Sequence, residues 1–134
     1  VYQAGTLSGN PVAVAAGLAT LRALDGEAYE TLEDRGRRLE KGMRRNVTEL
    51  GLPYHVTRVG AMASLFFTEE PVHTPADAKQ YDEEAFERYF RSMLDQGIYL
   101  PPSQFESFFI STAHGKDDIE QVLDAQRRAL EGLA

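Results

Sequence analysis

The chain has 134 residues, 43% hydrophobic and 26% charged, so a single globular domain of ordinary composition is the expectation. A net charge of −7, from 21 acids and 14 bases, argues against a nucleic-acid or anionic-membrane partner. The sequence contains no cysteine, which excludes disulfides, cysteine nucleophiles and thiolate metal sites and fits a cytoplasmic origin. The longest nearly uncharged apolar stretch, residues 11–21, is far short of the roughly 20 residues of a membrane span. Val1 opens the chain without a basic n-region or an h-region, so no signal peptide is expected. It also opens without methionine and inside a loop-like sequence, from which we expect a piece of a longer polypeptide.

Asn10-Pro11 reads as a helix start, with asparagine at the N-cap and proline at the first helical position. Val12 to Leu24 is rich in alanine and leucine and predicts a largely buried helix, ended by Asp25-Gly26. A second helix is expected over about Glu27 to Leu50, with Tyr29, Leu32, Leu39, Met43, Val47 and Leu50 inward. Its other face, bearing Glu33, Asp34, Arg37, Arg38, Glu40 and Arg44 among others, reads as solvated surface. Gly51 with Pro53 is a stop signal. Tyr54–Val59 and Met62–Thr68 read as strands, paired or successive, with a bend at Gly60. Residues 71–75 read as loop. Asp82 to Gln96 predicts a helix with Phe86, Tyr89, Phe90, Met93 and Leu94 inward, ending at Gly97. Ile98-Tyr99-Leu100 predicts a short strand broken by Pro101-Pro102, Phe108–Thr112 another, and Lys116–Leu130 a closing amphipathic helix. The order implies an α+β domain spanning residues 1–134, with helices on one face of a mainly antiparallel sheet.

Two segments could carry chemistry. In Ala4-Gly5-Thr6-Leu7-Ser8-Gly9-Asn10-Pro11, two glycines, two hydroxyls and a following helix N-terminus could present N–H groups to an anion, phosphate above all. The same residues also suit a capped turn with no ligand. In Tyr99-Leu100-Pro101-Pro102-Ser103-Gln104-Phe105-Glu106, a lone acid between Phe105 and Phe108-Phe109 should be partly shielded from water, as functional acids often are; an exposed loop acid is the plainer alternative. Neither lysine nor arginine occurs between Ser92 and Gly115, so this segment supplies no cationic clamp. His55, His73 and His114 show no metal-ligand spacing, and Ser64, Ser103 and Ser111 lack a nucleophile-elbow context. Lys41, Lys79 and Lys116 lack the apolar surroundings that activate a lysine for imine chemistry.

The run Gln3-Ala4-Gly5-Thr6-Leu7-Ser8-Gly9-Asn10-Pro11, followed by an alanine-rich helix, resembles the GT-x-x-GNP segment of class III aminotransferases, which are fold-type I enzymes dependent on pyridoxal phosphate. Val59-Gly60, Met62, Phe66-Phe67-Thr68, Tyr99 to Glu106, Ala113-His114 and Asp117-Asp118-Ile119 resemble the branch of that family that converts glutamate-1-semialdehyde to 5-aminolevulinate, a tetrapyrrole precursor. The resemblance runs the length of the chain. It implies a small C-terminal domain, with residues 1–25 linking to a large cofactor domain upstream. It implies a homodimer in which Gly5 and Thr6 contact the cofactor phosphate of the neighbouring subunit. It places Glu106 at the substrate site, where many aminotransferases carry an arginine. Ala61 departs from a frequent serine, and Gly115 from a hydroxyl that would cap the last helix. The Schiff-base lysine is placed upstream, so the chain alone is expected to be inactive. Another class III aminotransferase, or a non-catalytic binding or dimerisation module, are the alternative readings.

Overall fold

In the computed structural model, which describes residues 4–134, the elements follow from local chemistry read above, with three exceptions. Helix α1 spans Pro11–Ala23, α2 Gly26–Glu49, strand β1 His55–Val59 and β2 Met62–Phe66. A single helical turn, α3, covers Pro75–Ala78, followed by α4 at Glu83–Asp95, β3 at Phe108–Phe109 and α5 at Lys116–Glu131. The chain divides into two compact units, Val1–Thr31 and Leu32–Ala134.

In the first unit, the Asn10 side-chain oxygen accepts hydrogen bonds from the N–H groups of Val12 and Ala13, capping α1. The burial expected for this helix is not found: no residue of α1 is buried, with Val12 77% and Leu21 68% exposed. Its sequence is apolar all round rather than on one stripe, so no pattern within the helix selects a face to cover. Asp25 then caps α2 through the N–H of Ala28.

In the second unit α2 stops at Gly51, which adopts a φ of +65°. The N–H of Leu52 bonds the carbonyl of Val47 and that of Gly51 bonds Thr48, the paired closure that a glycine past a helix end allows. Strands β1 and β2 pair antiparallel, with Val59 opposite Met62, so Gly60-Ala61 forms a two-residue turn with Gly60 at a φ of +57°. β3 adds to β2, also antiparallel, through Met62–Phe109 and Ala63–Phe108, giving the order β1-β2-β3. Val56 and Leu65 lie opposite each other and are buried, whereas Thr57 and Val59 are exposed, so one face of the sheet meets the helices. Against it pack Leu39, Met43 and Val47 of α2, Tyr89 and Met93 of α4, and Ile119, Leu123 and Leu130 of α5. Phe67 lies within this core, its ring centroid 4.7 Å from that of Tyr54 and 5.1 Å from that of Tyr89. The architecture is the expected α+β arrangement.

Three local expectations are corrected. Ile98–Leu100 is not a strand. The N–H of Ile98 closes the end of α4 on the carbonyl of Met93, and Pro101 and Pro102 have no N–H, so little of a ladder can form. The strand expected over 108–112 is reduced to Phe108–Phe109, because the Ser111 N–H goes to Nδ1 of His114 and the carbonyls of Ser111 and Thr112 accept from Arg35. At the end of the loop expected over 71–75, Thr74 and Asp77 form a reciprocal capping box that produces α3, a helical turn not expected from the sequence.

Candidate cofactor and substrate site

Residues 4–10 are exposed and form two consecutive turns, in which the N–H of Ser8 bonds the carbonyl of Gly5 and that of Asn10 bonds Leu7. Gly9 takes a φ of +76°, the left-handed position that the second turn requires. The start of α1 has little left to offer a ligand. Pro11 lacks an N–H, Asn10 occupies those of Val12 and Ala13, and Val14 donates to the Asn10 carbonyl. The anion-binding capacity expected of the helix end therefore rests on the turn instead. The N–H groups of Thr6, Leu7 and Gly9 and the hydroxyls of Thr6 and Ser8 have no partner among the described residues. The first acid in the sequence is Asp25, so no carboxylate from this stretch opposes an anion there. Gly5 and Thr6 lie in the first unit and Glu106 in the second.

Glu106 sits in the loop between α4 and β3. Its N–H bonds the carbonyl of Ser103 at 3.1 Å, and its carboxylate is exposed with no ion-pair partner among the described residues. The partial shielding expected for it is not found, because Phe105 is 58% and Phe109 68% exposed and neither covers it. The loop beneath it is anchored. Gln104 is 5% exposed, and its amide donates to the carbonyl of Leu65 at 2.6 Å and accepts from the N–H of Phe67 at 3.3 Å. The hydroxyls of Ser107 and Ser64 lie 2.8 Å apart.

Of the three histidines, His55 and His114 make local contacts and His73 is exposed. His55 Nε2 is 3.1 Å from the carbonyl of Glu69, and His114 Nδ1 accepts from the Ser111 N–H at 2.9 Å. Among the described residues no cluster of acids or histidines could hold a metal ion. Lys41, Lys79 and Lys116 are all exposed. Among the described residues no helix is long and apolar enough to cross a membrane. The polar face of α2 is less solvated than expected. Arg58, whose side chain is 12% exposed, bonds Glu40 at 2.8 Å, Glu33 at 2.9 Å and the Gly60 carbonyl at 2.7 Å. These charge-assisted bonds hold the Glu33 and Glu40 carboxyls below the ordinary glutamate range and raise the Arg58 guanidinium. Strand parity signals this site, since Arg58 shares the inward face with Val56 and an inward arginine needs acids. The Gln104 clamp has no such signal.

No family model matches the chain. It is 55% identical over 132 residues to a glutamate-1-semialdehyde 2,1-aminomutase of Thermus thermophilus, a match covering 97% of this chain and 31% of that protein. It is 52% identical over 133 residues to the protein of that name from Salinibacter ruber, covering 97% and 30% respectively. Its fold matches a crystal structure of a glutamate-1-semialdehyde-aminomutase from Pseudomonas aeruginosa, with a TM-score of 0.87 at 28% identity over 98% of this chain and 29% of that one. By sequence and by fold the chain is similar to one part of the glutamate-1-semialdehyde 2,1-aminomutases. It spans about 31% of the length of the aminomutases it matches. A variant of the Pseudomonas aminomutase, solved in complex with PMP, has the same TM-score of 0.87.

Proposed function

We propose that the chain is the C-terminal segment of a pyridoxal-phosphate-dependent glutamate-1-semialdehyde 2,1-aminomutase that makes 5-aminolevulinate for tetrapyrrole biosynthesis in the cytoplasm. The observation that carries this reading is 55% identity to the Thermus aminomutase over 97% of the chain. The donors of the 6–9 turn fit one edge of a phosphate: they are neutral, exposed and free of nearby acids from their own stretch. In this reading Gly5 and Thr6 hold the phosphate of a cofactor seated in the partner subunit of a homodimer, with the Thr6 hydroxyl as donor. When bound, pyridoxal phosphate supplies the group that takes up and returns the amino nitrogen as it moves between adjacent carbons of one skeleton.

Glu106 contributes by exclusion. Glutamate-1-semialdehyde carries one carboxylate, whereas a common dicarboxylic amino acid such as glutamate carries two. An unpaired carboxylate at the substrate site, with no lysine or arginine in residues 93–114, disfavours the second by like-charge repulsion. The three lysines are exposed, so none has the dry surroundings that make an amine nucleophilic, and the chain by itself is inactive in this reading. The test is an assay of the complete polypeptide that contains this chain. Formation of 5-aminolevulinate from glutamate-1-semialdehyde without an added amino donor or keto acid is expected, and none from residues 1–134 alone. A requirement for a separate donor and acceptor would refute the aminomutase assignment in favour of an aminotransferase.

A further inference from the structure

We infer that Gln104 is a positioning residue that sets the selectivity of the substrate site by fixing where Glu106 presents its carboxylate; this rests on the reading of Glu106 given above. Strand β3 pairs with β2 only at Met62 and Ala63, so the backbone beyond them has no third strand beside it. The Gln104 side chain takes the place of that strand. Its amide N–H binds the Leu65 carbonyl and its amide oxygen receives the Phe67 N–H, so one side chain supplies the donor and acceptor of a strand residue. Both ends of this clamp are buried, Phe67 being 1% and Gln104 5% exposed.

Two residues further on the chain turns out to solvent at Glu106, and at the next residue it is tied to β2 again by the Ser107–Ser64 hydroxyl contact. Between the two ties, the Ser103 carbonyl accepts the Glu106 N–H, and the Ser103 hydroxyl accepts the Phe105 N–H at 3.2 Å. An exposed acid in an irregular loop ordinarily moves with the loop. Here the backbone of Glu106 is bracketed by anchors on the central strand of the sheet, while its carboxylate bonds nothing among the described residues. A small cavity of about 30 Å³ lined by Ser64, Ser103, Gln104 and Glu106, among others, gives the loop room to shift if the clamp is removed.

The experiment uses the complete holoenzyme and compares kcat/KM for glutamate-1-semialdehyde with kcat/KM for glutamate. Gln104→Met keeps the volume of the side chain and removes both hydrogen bonds. It is expected to lower the ratio of the two values about tenfold, as misplacement of a charge that acts only by repulsion should. Glu106→Gln is expected to lower the ratio to a similar degree, and the double variant no further than Glu106→Gln alone. Ser107→Ala, which loosens the second tie without touching the core, is expected to lower the ratio in the same direction. A structural role alone would reduce both activities in parallel and leave the ratio unchanged in Gln104→Met and Ser107→Ala. That result, or equal effects of Gln104→Met with and without Glu106, overturns the inference. An unchanged ratio in Glu106→Gln overturns it together with the role of Glu106. Failure of the unmodified enzyme to form 5-aminolevulinate overturns the proposed function itself.

Discussion

Gly42 of α2 lies against Leu123 of α5, and replacing it tests how tightly the second unit is packed there. A Cβ built at Gly42 would lie 2.3 Å and 2.5 Å from the two Cδ atoms of Leu123 and 2.9 Å from its Cγ. Leu123 is 4% exposed, so it has no open direction in which to retreat. Overpacking of this kind costs about 1–3 kcal/mol, and a contact that reaches Cγ belongs at the upper end. Alanine favours a helix over glycine by about 1 kcal/mol, which offsets part of that cost. Gly42→Ala should therefore destabilise the chain by about 2 kcal/mol, a fall in Tm of about 7 °C for a domain of this size. Thermal unfolding followed by circular dichroism reads this directly. Leu123→Ala alone should cost about 2–5 kcal/mol by opening a cavity. The double variant should fall short of the summed costs by at least about 1 kcal/mol, because the new methyl group occupies part of that space. A neutral or stabilising Gly42→Ala, or strict additivity, would refute the close approach of the two helices.

Three further substitutions probe the other features. Thr6→Val in the complete enzyme should weaken cofactor affinity about tenfold while leaving the unfolding midpoint unchanged, since Thr6 is exposed; equilibrium dialysis with equal affinities would remove Thr6 from the phosphate contact. Glu106→Arg should improve the use of ordinary α-amino acids, and a substrate profile identical to that of the unmodified enzyme would end the exclusion argument. Glu33 and Glu40 have carboxyls lowered by Arg58, so the stability they contribute is present above the unfolded glutamate pKa, about 4.3, and is lost as pH falls through the lower folded values. Arg58→Gln should therefore flatten the decline of stability between about pH 5 and pH 3, and parallel pH profiles for the two proteins would show that the ion pairs do not set it.

What the sequence makes legible is local closure. The asparagine before Pro11, Asp82 before α4, and Gly51 and Gly97 at helix ends each act on backbone groups within a few residues, so their effect is visible without the rest of the fold. The amphipathic faces of α2, α4 and α5 are legible for the same reason, because a helix repeats its preference every few residues, although Tyr29 and Leu94, expected inward at the ends of their stripes, are exposed. What is not legible is where a backbone group finds a distant partner. The strand expected at Ile98 fails because its N–H is already committed to Met93, and β3 ends early because Arg35, from another element, takes the carbonyls of Ser111 and Thr112. The burial of α1 is illegible for a different reason: an evenly apolar helix states that it can be covered without stating by what.

The two candidate segments, one in each unit, show both situations, which explains why their residues could be named before their surroundings. The glycines and hydroxyls of the 5–9 turn advertise their backbone geometry, and the exposed donors are found there. The helix N-terminus behind them looks equally available in sequence, yet Asn10 has already used it. At the other loop, the absence of lysine and arginine from residues 93–114 is a property of sequence, and among the described residues Glu106 forms no ion pair. Its support does not. Gln104 is one polar residue in a loop, with no periodicity and no neighbour to mark it, and its value comes from Leu65 and Phe67, 39 and 37 positions away in sequence. A buried amide that replaces a missing strand is specified by the gap it fills. Residues that touch a ligand can thus be read from their own chemistry, whereas residues that aim them become visible only when the unpaired backbone groups of the sheet are counted.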